Sequence, residues 1–150
     1  MTDAPRDAAT RKADTLARLA TPAVDVWVAS AAGGAAHLVP LSLAWLDDRV
    51  VLALDTSSVT ARNIAVTGIA RLALGPTRDV VVLDVALERA VGVAEAPLDL
   101  VDGYAAQADW DPRELAGYAY LVLRPTRIQA WRESNELAGR TLMRDGAWLV

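Results

Sequence analysis

Asp55-Thr56-Ser57-Ser58-Val59-Thr60-Ala61-Arg62-Asn63 is the stretch on which the fold turns. Before it, Arg49-Val50-Val51-Leu52-Ala53-Leu54 is an apolar run of strand length; after it, a helical pattern over roughly 59–66 stops at Gly68. A strand end therefore feeds a helix start through the cap-rich Asp55-Thr56-Ser57-Ser58. Free amides at a helix start, with the helix dipole behind them, favour an anion such as a phosphate. Ser57, Ser58 and Thr60 could add hydroxyl donors, and Arg62 a bidentate charge-assisted pair. The same residues allow a plainer reading, in which Ser57 or Ser58 only caps the helix and Arg62 is solvated. Spacing leaves both open.

Upstream, His37-Leu38-Val39-Pro40-Leu41-Ser42 lies in a second strand expected over residues 36–46 and interrupted by Pro40. A proline in a strand marks an edge, a bulge or a broken ladder, and such a break frees backbone groups to face a flat heterocycle. The competing reading is an ordinary edge bulge. Around these two segments the pattern predicts a helix over 7–20, with Ala9, Ala13, Leu16 and Leu19 on one face and Arg11, Lys12 and Arg18 on the other. A strand over 24–30 with a Gly33-Gly34 turn follows, and Asp47-Asp48 is a two-residue turn. Strands are expected over 69–74 and 80–95, the second long or bent, then helix over 98–116 with a break and new start at Asp109-Trp110-Asp111-Pro112. A strand bent at Pro125 spans 118–132, and one short strand near Ala147-Trp148-Leu149 closes the chain. Six or seven strands with two or three short helices make an α+β fold, mainly antiparallel β, expected to form a barrel.

The bulk composition removes whole classes of function. With 150 residues the chain is expected to be one domain over 1–150, residues 1–8 being a flexible N-terminus. There is no cysteine and only one histidine, His37, which excludes disulfides, thiolate zinc sites and His clusters. A net charge of −4 without a basic block argues against nucleic acid. No apolar run approaches the roughly 20 residues of a membrane helix. Met1–Ala20 has no signal-peptide core, so a cytoplasmic protein without a membrane partner is expected. Hydrophobic residues make up 53% of the chain, more than a small monomer easily hides, which hints at self-association. No catalytic triad, P-loop or dinucleotide fingerprint can be assembled, so no catalytic residue is assigned.

The element order, with His37-Leu38-Val39-Pro40-Leu41 and Thr56-Ser57-Ser58-Val59-Thr60-Ala61-Arg62-Asn63-Ile64, resembles the pyridoxamine 5′-phosphate oxidase-like split barrels, the flavin/deazaflavin oxidoreductases. The ending from Trp131-Arg132-Glu133-Ser134-Asn135 through Asp145-Gly146-Ala147-Trp148 looks like that of their small actinobacterial members. The resemblance covers about residues 10 to 150. It implies an FMN-binding split β-barrel with short flanking helices, and a homodimer with the cofactor at the subunit interface. FMN or coenzyme F420 would be the cofactor, some relatives binding haem instead. By position, Pro40, Leu41 and Ser42 would line the ring edge. Thr56, Ser57, Ser58, Thr60, Arg62 and Asn63 would hold the phosphate end, and Trp131 would come from the second subunit. The chain departs from the family where it has Ser58, Val59 and Thr60 in place of the usual Arg or Lys, leaving Arg62 as the only cation there.

Three expectations about function follow. One is a flavin- or deazaflavin-dependent oxidoreductase moving a hydride between cofactor and a small organic substrate; the Ala-, Arg- and Val-rich composition of a high-GC genome tilts this toward F420. Another is a non-catalytic flavin or haem binder, with His37 as the axial ligand. The third is a barrel that has lost its cofactor and serves as an interaction module.

Overall fold

Helix α1, Ala8–Leu19, starts where the Asp7 carboxylate accepts a hydrogen bond from the Thr10 amide, an N-cap that satisfies one orphan donor of the first turn. The computed structural model describes residues 3–150, so Met1 and Thr2 lie outside the described residues. The buried face of α1 is not the expected alanine stripe: Arg11, Thr15 and Leu19 are buried, while Ala9 and Ala13 are exposed. Arg11 goes inside because the fold gives its guanidinium acceptors, the backbone carbonyls of Arg6 and Glu136.

Strands β1 (Asp25–Ala32) and β2 (Ala35–Ser42) form a hairpin through Gly33-Gly34, both at positive φ. A second hairpin joins β3 (Ala44–Leu46) to β4 (Arg49–Asp55) through Asp47-Asp48, whose φ values of 51° and 58° match the twist that two-residue loops require. The strand expected over 36–46 is thus two strands, and the break falls at Leu43 rather than Pro40. Pro40 is tolerated inside β2 because β2 pairs only with β1 and lies at the sheet edge. Helix α2 (Val59–Thr67) is capped by Ser58, whose hydroxyl oxygen accepts from the Ala61 amide, and ends at Gly68 in the left-handed region.

After α2 come β5 (Ile69–Leu74), β6 (Val80–Gly92), α3 (Leu98–Ala108), β7 (Tyr118–Trp131), a 3-10 turn, β8 (Thr141–Arg144) and β9 (Ala147–Trp148). The helix expected to run to 116 stops at Ala108. Asp109 takes a left-handed φ of 59°, and the segment beyond Pro112 forms turns rather than a new helix. The β8 strand was not legible: its four residues follow a segment without periodicity and are ordered by pairing with β7 and β9.

Among the described residues nine strands form one antiparallel sheet whose main path runs β2-β1-β5-β6-β7-β4-β3. Its two ends, β2 and β3, are consecutive in the chain, joined through Leu43, whose amide bonds the Val24 carbonyl. The sheet therefore curls until its edges approach without a ladder between them, so the barrel is split. Bulges between Asp84 and Val85 and between Leu87 and Arg89 bend β6 to allow the curl.

The interior holds Val26, Val28, Val50, Leu52, Leu72, Leu83, Leu121, Leu123 and Ile128, with Ile64 of α2 and Leu19 of α1 packed in. Residues of opposite parity on the same strands, Val51, Ala53, Tyr120 and Val122, face outward and are covered by Leu100, Val101 and Tyr104 of α3. That is why β4 reads as a continuous apolar run rather than an alternation: both its faces are buried.

Of the segment expected to be flexible, Arg6 is tied to the far end of the chain. The Glu136 carboxylate accepts from the Arg6 amide, its Nε and its Nη2, and from the Arg132 amide. Arg6 Nη1 also donates to Asp14 at 2.9 Å.

Candidate functional site

The end of β4 faces the start of β7 in the ladder, Asp55 opposite Tyr118, and α2 begins three residues after β4 ends. Across from them, β2 presents His37, Val39 and Leu41 on the face it shares with the buried Val26 and Val28 of β1. These elements enclose a cleft of about 340 Å³ lined by His37, Val39, Leu41, Ala53, Leu54, Asp55, Ser58, Thr60, Trp110 and Tyr118. Trp110 and Tyr118 meet edge to face at 6.2 Å, and Trp110 meets Tyr104 behind it at 5.9 Å. Burial pushes the Tyr104 hydroxyl up to about 12, so it stays protonated and serves as packing.

Outside the barrel, a larger apolar hollow of about 760 Å³ runs over β1, β2, β5 and β6. Ala29, Ala31, Leu38, Ile69 and Ala86 line it, Leu38 and Ile69 being 60% and 61% exposed. His37 borders both spaces.

The turn between β4 and α2 is chemically occupied by its own chain. Asp55 Oδ1 accepts from the Ser57 amide at 2.8 Å and from the Ser57 hydroxyl at 2.7 Å. Those two bonds hold the Asp55 carboxyl below the usual carboxylate range. The Thr56 amide bonds the Gly117 carbonyl, the Ser58 amide bonds the Asp55 carbonyl, and the Ser58 hydroxyl oxygen caps Ala61. In short, a carboxylate sits on the amide that an incoming anion would need.

The residues singled out from sequence divide accordingly. Leu41, Ser58 and Thr60 line the cleft. Thr56 and Ser57 are in the adjoining turn, bonded as above. Pro40 and Ser42 alternate with Leu41 and belong to the opposite face of β2, Pro40 paired with Trp27 and Ser42 with Asp25. Arg62 is exposed, off the buried face of α2; its amide donates to the Ser58 carbonyl, while its guanidinium makes no hydrogen bond or ion pair with the described residues. Asn63 is buried and donates its side-chain amide to Ser30 Oγ at 3.2 Å. Trp131 ends the 14-residue β7 that Tyr118 begins, on the order of 40 Å away along the strand. It reaches the cleft only if a second copy supplies it. Its ring lies 5.8 Å from the Arg140 guanidinium.

Asp55, Val39, Trp110 and Tyr118 also line the cleft, and the sequence reading does not single them out. The signal for the aromatic pair was present: Trp110 sits in an Asp-Trp-Asp-Pro break and Tyr118 opens a strand opposite Asp55. Only the barrel's curvature brings them against β2.

No family model matches the sequence, and no curated protein does. Solved structures do match. An F420 reductase aligns at TM-score 0.59 with 18% identity, covering 75% of this chain and 94% of that one. A candidate pyridoxamine 5′-phosphate oxidase from Listeria innocua aligns at 0.60 with 12% identity, over 83% and 98%. The fold is the pyridoxamine 5′-phosphate oxidase-like split barrel. A haem-binding protein from Mycobacterium smegmatis shares the split barrel at TM-score 0.65 and 21% identity, covering 94% of this chain and 59% of that longer one. These identities carry the fold and leave the ligand to be argued from the cleft.

For the flavin-type cofactors that the fold suggests, the cleft gives a two-part answer. The ring end fits: Val39, Leu41 and Ala53 are apolar, Trp110 and Tyr118 are aromatic, and β2 is an edge strand with unpaired backbone groups. The phosphate end does not fit. No Arg or Lys lines the cleft, and the Asp55 carboxylate holds the turn.

Proposed function

We propose that this split barrel is a flavin- or deazaflavin-dependent oxidoreductase acting on a small organic substrate, with the ring bound in the cleft between β2, the end of β4 and the Trp110–Tyr118 pair. The observation that carries the reading is this aromatic and apolar slot beside an unpaired strand edge. A flavin or deazaflavin supplies the hydride chemistry itself, so the chain needs to orient the ring and exclude water rather than provide an acid–base set. FMN and F420 are the two cofactors to test. Cytoplasmic work and a homodimer belong to the same reading. What supports the dimer is the apolar hollow over β1, β2, β5 and β6, which shares His37 with the cleft. In this reading Trp131 comes to the cleft from the second copy.

Titrating the purified chain with FMN and with F420, and following ligand fluorescence, tests the cofactor. Saturable quenching by either supports it, and no saturable change with FMN, with F420 or with riboflavin, the same ring without the phosphate, overturns it. Sedimentation tests the dimer: Leu38→Asp is expected to give a monomer, and a monomeric wild-type chain overturns that part.

One observation favours a second reading, in which a tetrapyrrole is bound without turnover. His37 is the chain's only histidine and lines both the cleft and the apolar hollow, where its imidazole could serve as a haem ligand. A Soret band on adding haem that disappears in His37→Ala supports it; the same band in both forms overturns the ligand assignment.

A further inference from the structure

We propose that Asp55 is a specificity-determining residue of the cleft, selecting a heterocycle with an uncharged, hydroxylated side chain over its phosphate ester. The inference rests on the flavin-type reading above and names the ligand class within it.

Three observations carry it. First, the Ser57 amide and hydroxyl both donate to Asp55 Oδ1, so a phosphate could claim them only by displacing a carboxylate that remains covalently at hand. Second, none of the ten residues lining the cleft is a lysine or arginine, and Arg62, the cation that follows the turn, is on the exposed face of α2. Third, what the turn still offers suits hydroxyl groups. Asp55 Oδ2 takes no hydrogen bond from the described residues and can accept one, while Ser58 spends only its oxygen on the helix cap and keeps its proton to donate.

The size of the effect follows from charge. A phosphate monoester carries about −1.5 to −2 at neutral pH. Each unit of like charge held about 4 Å from a carboxylate weakens binding roughly fivefold even at the dielectric of water. The ester is therefore disfavoured by about tenfold or more, with no cation to compensate. A polyol chain meets no such penalty and gains an acceptor in Asp55.

Riboflavin and FMN differ only by the phosphate, so their affinity ratio isolates the effect. Both are titrated against the full chain and against Asp55→Asn, at fixed low ionic strength and again at high salt. Asn keeps an oxygen that can accept from the Ser57 amide, so the turn is retained, which circular dichroism and the melting temperature check. The wild-type chain is expected to bind riboflavin about tenfold or more tightly than FMN, with the gap narrowing in salt. Asp55→Asn is expected to bring the two affinities within about threefold. A wild-type preference for FMN, or a ratio unchanged by Asp55→Asn while riboflavin still binds, overturns this inference and leaves the flavin reading standing. Failure of both flavins to bind either form, with F420 also inert, overturns the flavin reading and this inference with it.

Discussion

Glu136→Gln removes one charge from the clasp between the N-terminal segment and the end of β7 while keeping the side chain's shape. In the wild-type chain Glu136 is 2% exposed, and its two carboxylate oxygens accept four hydrogen bonds, three from Arg6 and one from the Arg132 amide. Gln has one acceptor oxygen, and its NH₂ group must face donors that the second oxygen used to satisfy. The Arg6 guanidinium, chiefly, holds the Glu136 carboxyl down from 4.5 to about 2. A displacement of that size corresponds to about 3 kcal/mol of stability carried by the ionised form. Removing one partner of a buried ion pair costs a similar amount, about 3–5 kcal/mol, so about 3 kcal/mol is the expectation at pH 7. For a chain of this length that lowers the melting temperature by roughly 6–12 °C. Because the folded-state value is depressed, the stabilisation is complete above the unfolded-state value of about 4.5 and is lost as pH falls toward 2. Urea unfolding of both proteins between pH 7 and pH 2.5 should show a gap that closes across that window. A variant within about 0.5 kcal/mol of wild type at pH 7, or a gap independent of pH, would refute the reasoning.

Three further outcomes are expected. Tyr120→Phe should leave stability unchanged or raise it by up to about 1 kcal/mol in urea, because the Tyr120 hydroxyl is buried without a partner among the described residues; a loss above about 1 kcal/mol sinks the idea. Gly68→Ala should cost about 1–2 kcal/mol in the same assay, since the C-cap of α2 sits at φ 71°, which disfavours a Cβ; an unchanged midpoint counts against this. Arg49→Ala, which breaks the exposed pair with Glu88 at 2.9 Å and a bond to the Asp48 carbonyl, should shift stability by no more than about 1 kcal/mol, and a larger loss would show that these surface contacts are worth more than exposed pairs usually are.

The chain's own pattern determined most of the elements, because it is written in local physics. Asp7 and Ser58 cap helices, Gly68 ends one, and Gly33-Gly34 and Asp47-Asp48 supply the positive φ that tight hairpins need. Those signals act within a few residues and need no tertiary partner. Where the reading missed, a long-range contact outweighed the local signal. Arg11, which the periodicity places on the solvent face of α1, is buried where carbonyls of residues 6 and 136 accept from it. The strand over 141–144 has no pattern of its own and exists because β7 overhangs it. The cleft shows the same division. Its turn was legible as a run of caps and hydroxyls after a strand, a pattern that suits either an anion or a plain helix start. The curl of the sheet decided that Trp110 and Tyr118 stand beside that turn, and side-chain geometry decided that Asp55 occupies its amide. Sequence spacing records which donors exist; only the folded chain records which of them are already engaged.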